Sequence, residues 1–379
     1  MSVRFLTAVS GRVFNMHDRF GREIDYMRIS VIDSCNLNCY YCNPQDNNKN
    51  CQAINTLSVK KVLCIVRAAT RLGITHFRLT GGEPLLHPQI DEMVSQIKKI
   101  PGVRSVSLTT NAVLLAQHAK QLKEAGIDSI NVSLDTIDAS EYEHITKKPL
   151  LDKVEHGIDA AIECGIRVKI NVVLTPQTDV VALTRYASKK GTDIRFIEMM
   201  PVGEGHTNGV EPYKKVIGTL SELYGEPYRV NTGKTKEINS GYNKYKEGRK
   251  NPDNGPAEYY SFHGLDIRVG LIQAIHGKFC DTCNRIRVTA DGRLMPCLGS
   301  SVTMDLVPDS CEFTDDLEKD FVIVQALKAA IKAKPGCHNF NDNAVTYTKT
   351  TETKTVETKT TELKAAEVNA ARNMSRIGG

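Results

Sequence analysis

Between residues 26 and 200 the pattern of apolar and polar positions switches repeatedly between two periods. Short runs rich in β-branched residues predict strands at "MRISVID" (27–33), "THFRLT" (75–80), "VRSVSLTT" (103–110), "IDSINVSL" (127–134), "IRVKINVVL" (166–174) and "DIRFIEMM" (193–200). Helical patterns lie between them. In "LSVKKVLCIVRAATRLG" (57–73), Val59, Val62, Leu63, Val66, Ala69 and Leu72 recur at the 3.6-residue period, and Gly73 suits a helix end. "AVLLAQHAKQLKEAGI" (112–127) and "LDKVEHGIDAAIECGI" (151–166) repeat the design, ending at Gly126 and Gly165. Strand and helix in alternation predict a parallel sheet with helices outside it.

The six units are two short of a closed eightfold barrel. The expectation is therefore an α/β fold, an open (β/α)6 partial TIM barrel, with its chemistry at the carboxyl ends of the strands. Beyond residue 214 the pattern changes. "AEYYSF" (257–262) and "LDIRVGLIQAI" (265–275) read as strands, and "IRVTADGRLMP" (286–296) as a hairpin closed by Asp291-Gly292. A helix is expected from about 315 to 333, with Leu317, Phe321, Val324, Leu327 and Ile331 on one face. The chain thus divides into a barrel with an N-terminal extension (1–213), a smaller C-terminal α+β domain (214–345) and a tail (346–379). The polar stretch 231–256 reads as a mobile loop. The Thr/Lys/Glu tract 346–364 has too little apolar surface to offset ordering and reads as a disordered tether.

Composition narrows the function. The chain has 379 residues, 41% apolar and 25% charged, within the ordinary range for a globular protein. A net charge of +5 admits an anionic small molecule and is too weak to argue for nucleic acid. No run of eighteen apolar residues marks a membrane span, and the N-terminus lacks a secretory h-region, so the expected location is the cytoplasm. Eleven cysteines, an odd number without a secretion signal, argue against a disulfide framework. Cys64 and Cys164 fall in helical patterns as small buried residues, while Cys51, Cys311 and Cys337 are scattered.

The other six cysteines form two triplets: Cys35, Cys39 and Cys42 as CxxxCxxC, and Cys280, Cys283 and Cys297. A cubane iron–sulfur cluster has four irons, so three thiolates leave one iron open for another ligand. The competing arrangement is a structural zinc knuckle built from Cys39, Cys42, Cys280 and Cys283, which leaves Cys35 and Cys297 unexplained. The anionic small molecule that the net positive charge admits would favour forked cationic donors. Arg28, Arg78, Lys169, Arg285 and Arg287 are candidates at strand ends facing one mouth, and in a strand residues 285 and 287 point the same way.

The first triplet, with Tyr41 just before its last cysteine, resembles the radical S-adenosylmethionine superfamily. The resemblance implies a [4Fe–4S] cluster whose open iron chelates the methionine end of S-adenosylmethionine. "LTGGEP" (79–84) fits it: Gly81 and Gly82 let backbone approach a ligand, and Glu83 is expected to hold the methionine end. The plain alternative is a strand-to-helix turn with Pro84 at the helix start. "FCDTCNRIRVTADGRLMPC" (279–297), "DRFGREIDYMRISVIDSCNLNCYYC" (18–42), "NVSLD" (131–135), "VKINVV" (168–173), "RFIEMMPVG" (195–203) and the terminal "MSRIGG" (374–379) together resemble the GTP 3′,8-cyclase family of molybdenum cofactor biosynthesis.

That resemblance implies two [4Fe–4S] clusters, S-adenosylmethionine contacts at Tyr41, Gly82, Ser133 and Met200, and a GTP-binding set of Arg28, Arg78, Thr109, Lys169, Arg285 and Arg287. Arg285 and Arg287 would be the catalytic pair beside the second cluster. It further implies an electron donor, a downstream cyclic pyranopterin synthase enzyme and a glycine tail inserted toward the cavity, and it is compatible with a homodimer. The chain departs from the family at Ala112, where "TTNA" replaces the usual TTNG, and at Asn43, where Met is common. Loss of glycine at position 112 predicts an altered turn.

Overall fold

The computed structural model describes residues 16–42, 54–201, 210–230, 255–300, 303–306, 317–338 and 340. Cys51, Cys311, Asn43, nearly all of the 231–256 loop, the 346–364 tract and the "MSRIGG" tail lie outside the described residues.

The six expected strands form: β1 (Tyr26–Ser30), β2 (His76–Thr80), β3 (Ser105–Thr110), β4 (Ser129–Ser133), β5 (Val168–Leu174) and β6 (Asp193–Glu198). They pair in chain order, all parallel. Helices α1 (Val59–Thr70), α2 (Ile90–Lys98), α3 (Leu115–Glu124), α4 (Ala139–Thr146), α5 (Leu151–Glu163) and α6 (Val180–Lys189) fill the crossovers. Gly126 and Gly165 follow the last turns of α3 and α5 at φ of 88° and 69°, the left-handed geometry that ends a helix most cheaply with glycine.

The strands sort their side chains by face. Met27, Ile29, Phe77, Leu79, Val106, Leu108, Ile130, Val132, Ile170, Val172, Ile194 and Phe196 point outward and are fully buried beneath the helices. Each contributes about 1.5–3 kcal/mol by leaving water. The alternate positions, pointing inward, carry Arg28, Arg78, Thr109, Asn131, Lys169, Asn171 and Arg195, all buried except Arg28 and Asn171, which are half-buried. A barrel held by its outer face and lined with polar groups within is built to contain something polar.

The C-terminal strands do not form a separate sheet. After α7 (Thr219–Tyr224) come β7 (Tyr228–Arg229), β8 (Glu258–Ser261), β9 (Val269–Ile272), β10 (Arg285–Val288), β11 (Arg293–Met295) and β12 (Met304–Asp305). Strand β9 joins β6 in parallel and β10 joins β1 in parallel, giving the order β12-β11-β10-β1-β2-β3-β4-β5-β6-β9-β8-β7. Both edges of the barrel are therefore extended by the same downstream region, and the sheet stays open. The β10–β11 hairpin forms as expected, with Gly292 at φ 83°.

Helix α8 (Leu317–Ala333) packs on α1 and on the β11–β12 edge. Its buried residues are Ile323, Val324, Leu327, Ala330 and Ile331. Phe321, expected on that face, is 60% exposed, and the side chain of Leu317 lies outside the described residues. Cys64 is buried as expected, whereas Cys164 is half-buried at the end of α5. Among the described residues no helix is long and apolar enough to cross a membrane.

Candidate active site

The first triplet lies on the loop that leaves the carboxyl end of β1. The loop is docked on α4: Asn38 N–H donates to the Thr146 carbonyl (3.0 Å) and Tyr40 N–H to that of Ile145 (3.1 Å). From the other side the "GGEP" turn clasps it. Gly82 N–H donates to the Ile32 carbonyl (2.7 Å) and Glu83 N–H to that of Ser34 (2.8 Å). A Cβ on Gly81 would stand 2.6 Å from the Ile32 oxygen, and one on Gly82 would stand 2.1 Å from the Ser34 oxygen. These glycines make room for the cysteine loop's own backbone.

Glu83 ties the same turn inward. Its carboxylate is 1% exposed and accepts from Leu85 N–H (3.0 Å), Thr110 Oγ1 (2.6 Å) and Asn111 N–H (2.7 Å). Burial pushes it up to about 7 against those three bonds. It ties the β2 turn to the β3 turn, and Pro84 starts a short 3-10 helix as the plain alternative held. Ala112 in the β3 turn adopts φ 63°, the glycine-like conformation, at a cost of about 1–2 kcal/mol. Asn111 in that turn reaches Cys35 Sγ (3.8 Å) and Asn36 (2.7 Å). Tyr41 Oη donates to Asp135 (2.5 Å), which also accepts from Val173 N–H (2.8 Å). Burial first, then Asp135, pushes the Cys39 and Cys42 thiols up.

The second triplet lies at the opposite end of the strands. Cys283 stands two residues before Arg285, the first residue of β10, which is level with Tyr26 at the start of β1. A whole strand of five residues, roughly 16 Å, separates that level from the first triplet. A single zinc holds thiolates about 2.3 Å away, so the knuckle joining both pairs is not built. Among the described residues no three His, Cys, Asp or Glu side chains converge as they would on one ion.

Between the two ends lies a cavity. Its wall includes Arg28, Arg78, Thr109, Met200, Arg285 and Arg287, together with Cys280, Cys283 and Cys297. Tyr41, Gly82, Ser133 and the first triplet lie off this wall toward the strands' carboxyl ends, and Lys169 is fully enclosed behind it. The arginines stand lower in the barrel than expected. Arg287, Arg28 and Arg78 occupy one rung across β10, β1 and β2, at mid-strand, not at strand ends. Arg78 donates to the Tyr26 hydroxyl and to Thr109 Oγ1 (3.4 Å), and Arg285 sits over the Phe279 ring at 4.9 Å.

The rung has a strong positive field. Burial, then Arg287, lowers Arg28 well below its usual value. Burial and Arg285 bring Arg287 down to about 10. Burial raises the Tyr26 hydroxyl, but Arg78, Arg28 and Arg285 outweigh it and lower that group overall. Cys283 is drawn to about 6 because Arg285, Lys334 and Arg287 together overcome its burial. Sequence reasoning missed Asn131, Asn171 and Arg195, which also line the cavity. Counting in twos along β4, β5 and β6 from Ser133, Lys169 and Ile197 would have found all three. Gly270 opposite Arg195 leaves space for it: a Cβ there would meet Arg195 Cγ at 2.7 Å. Cys337, scattered in the sequence, comes close enough to influence Cys280.

Residues 29–183 match the Radical SAM superfamily, and residues 229–340 match Molybdenum Cofactor Synthesis C. The GTP 3′,8-cyclase of Clostridium perfringens (strain SM101 / Type A) is 36% identical over 330 residues, covering 86% of this chain and 95% of the relative. The chain belongs to the GTP 3′,8-cyclase family. The GTP 3′,8-cyclase of Thermodesulfovibrio yellowstonii is 38% identical over 296 residues, covering 77% of this chain and 87% of that one. The fold is shared with Streptococcus suis SuiB bound to S-adenosylmethionine, at TM-score 0.54 and 14% identity, covering 81% of this chain and 68% of that one.

The cofactors of this cyclase-family chain are [4Fe–4S] clusters and S-adenosylmethionine. The residues present fit them. The first triplet offers three thiols on one loop and the second on the two segments that flank the β10–β11 hairpin, and Arg195 Nε and Nη2, Arg285 Nε, Arg287 Nη1, Asn131 Oδ1 and Asn171 Oδ1 are buried with no hydrogen-bond partner within the protein. Such a set is costly when empty and is satisfied by a polar, anionic guest.

Proposed function

We propose that this radical S-adenosylmethionine lyase converts GTP to (8S)-3′,8-cyclo-7,8-dihydroguanosine 5′-triphosphate for molybdenum cofactor biosynthesis, with Cys35, Cys39 and Cys42 holding one [4Fe–4S] cluster and Cys280, Cys283 and Cys297 the other. One observation carries the substrate reading. The cavity wall presents Arg28, Arg78, Arg195, Arg285 and Arg287, and among its described lining residues there is no Asp or Glu. Five guanidiniums without a carboxylate form a receptor for several negative charges at once, as on a triphosphate. Charge-assisted bonds of about 1.5–3 kcal/mol each would offset the costs of association and permit micromolar binding.

When bound, the first cluster and S-adenosylmethionine supply a 5′-deoxyadenosyl radical able to take hydrogen from C3′ of the ribose. The chain's own residues do the rest by placement. Arg285 and Arg287, on one face of β10, neutralise phosphates and fix the substrate against the second triplet. Arg78 pins Thr109 and Tyr26, and Arg28 completes the rung between them. Lys169, behind the wall, adds to the field. The amide oxygens of Asn131 and Asn171 accept N–H or O–H groups of the bound molecules. Tyr41, Gly82, Ser133 and Met200 are the S-adenosylmethionine contacts in this reading. Holding both reactants in one enclosed barrel supplies the proximity the reaction needs. An external electron donor and a downstream cyclic pyranopterin synthase complete the sequence.

The test is an anaerobic assay of reconstituted protein with S-adenosylmethionine, reductant and GTP. Equal amounts of 5′-deoxyadenosine and a cyclised nucleotide are expected. Deoxyadenosine that forms at the same rate with and without GTP, and no cyclised product, would overturn the substrate reading.

A further inference from the structure

The loops that carry the second triplet are gathered onto one buried cation. Lys334, the first residue after α8, is 2% exposed. Its ammonium donates to Cys283 Sγ (3.4 Å), to the Arg285 carbonyl (2.8 Å) and to the Pro296 carbonyl (3.0 Å). Those contacts touch a ligand sulfur, the strand bearing the arginine pair and the residue just before Cys297. Four residues on, His338 N–H bonds to Cys280. Arg22, from the N-terminal extension, locks the segment from behind: it donates to the carbonyls of Cys280 (2.7 Å), Pro335 (2.6 Å) and Gly336 (3.0 Å), and pairs with Asp18 (2.6 Å).

An ammonium has three N–H donors, and three contacts use them all. Although Lys334 lines the cavity, it has no donor left for a substrate. Its charge is a separate matter. Two carbonyls satisfy its hydrogen bonds but do not neutralise it, and burying a cation without an anion is costly. The anion it faces is the Cys283 sulfur. The hydrogen bonds described for the first triplet's sulfurs come from neutral donors, Leu37 N–H on Cys35 (3.5 Å) and the Asn111 amide.

We propose that Lys334 is a positioning residue that holds the second cluster's ligand loops together and sets that cluster's reduction potential through its charge-assisted bond to Cys283. The inference rests on the reading that Cys280, Cys283 and Cys297 carry a cluster. Hydrogen bonds to ligand sulfurs and net charge are the protein's levers on cluster potential. Adding an electron makes the cluster more negative, and a fixed cation beside a ligand favours that state.

The experiment uses the full chain with Cys35, Cys39 and Cys42 all changed to Ser, so that only the second cluster is seen. Iron content and an EPR-monitored redox titration are read for this parent and for added Lys334→Gln and Lys334→Arg. Gln keeps two N–H donors for the carbonyls and loses the charge. It is expected to retain iron and to shift the midpoint to more negative potential, while Arg returns it toward the parent value. A Gln variant with parental iron and an unmoved midpoint overturns the inference, as does an Arg variant shifted as far as Gln. A Gln variant that keeps the parent's melting temperature but binds no iron supports the holding role, and the Arg midpoint then decides the electrostatic one. A parent that binds no iron overturns the cluster reading itself.

Discussion

The two cysteine triplets offer the same ligand count in opposite electrostatic settings. The first is flanked by Asp135, which adds to burial in pushing Cys39 and Cys42 up. The second is flanked by Arg285, Lys334 and Arg287, which bring Cys283 down to about 6 despite its burial. Thiolate number therefore does not determine what a triplet does. The carboxylate end disfavours added negative charge, which suits the electron-giving role proposed for the first triplet. The cationic end welcomes anions, which suits the substrate-side role proposed for the second. The barrel separates the two by the length of its strands.

Removing a ligand from either end breaks the comparison most severely. Cys39→Ala should abolish 5′-deoxyadenosine formation, whereas Cys297→Ala should leave S-adenosylmethionine cleavage and abolish GTP cyclisation, both read by chromatography of anaerobic reactions. If both activities survive in Cys297→Ala, the second triplet is not a substrate-side cluster. Gly82→Ala should come next. Its Cβ would collide with the Ser34 carbonyl and force the cysteine loop from the turn. About half of the iron should be lost, from the first triplet alone; iron analysis showing full loading would mean that the clasp is dispensable.

Arg285→Ala should weaken GTP binding roughly 10- to 100-fold, the equivalent of one charge-assisted bond, and weaken guanosine much less. Equal losses by calorimetry would argue against a phosphate contact. The smallest effect is expected at Asp135. Asp135→Asn keeps an acceptor for Val173 N–H and offers its amide N–H to the Tyr41 hydroxyl as acceptor, but removes the charge, and should raise the first cluster's potential by about 1 kcal/mol, or roughly 40 mV. An unchanged midpoint would place the difference between the two ends elsewhere.

Much of this was legible in the chain because it is local. Period and glycine stops gave the six βα units, the Asp291-Gly292 pair gave the hairpin, and the spacing of cysteines gave both triplets. What the sequence concealed was long-range. Nothing near Arg285 says that β10 will lie beside Tyr26, so the arginine rung at mid-strand was read as a cluster at one mouth. Gly81 and Gly82 are legible as sites of close approach, but nothing beside them in the chain shows that backbone of residues 32 and 34 comes so near. Glu83 has the composition of a ligand and the position of a tie, which only its three partners reveal. Lys334 follows a helix as any surface lysine might; its burial comes from three segments that meet there.

The pairing of β10 with β1 also has a temporal meaning. Asn284 and Asp25, hydrogen-bonded beside that junction, are 259 positions apart in the chain. During synthesis the N-terminal strands emerge long before their outer neighbour, and β1 waits with a bare edge. The loop of Cys35, Cys39 and Cys42 has its docking helix α4 and its glycine clasp within the first 150 residues made. Among the described residues, the wall of the cavity closes only when the segments from residue 280 to 340 have been made.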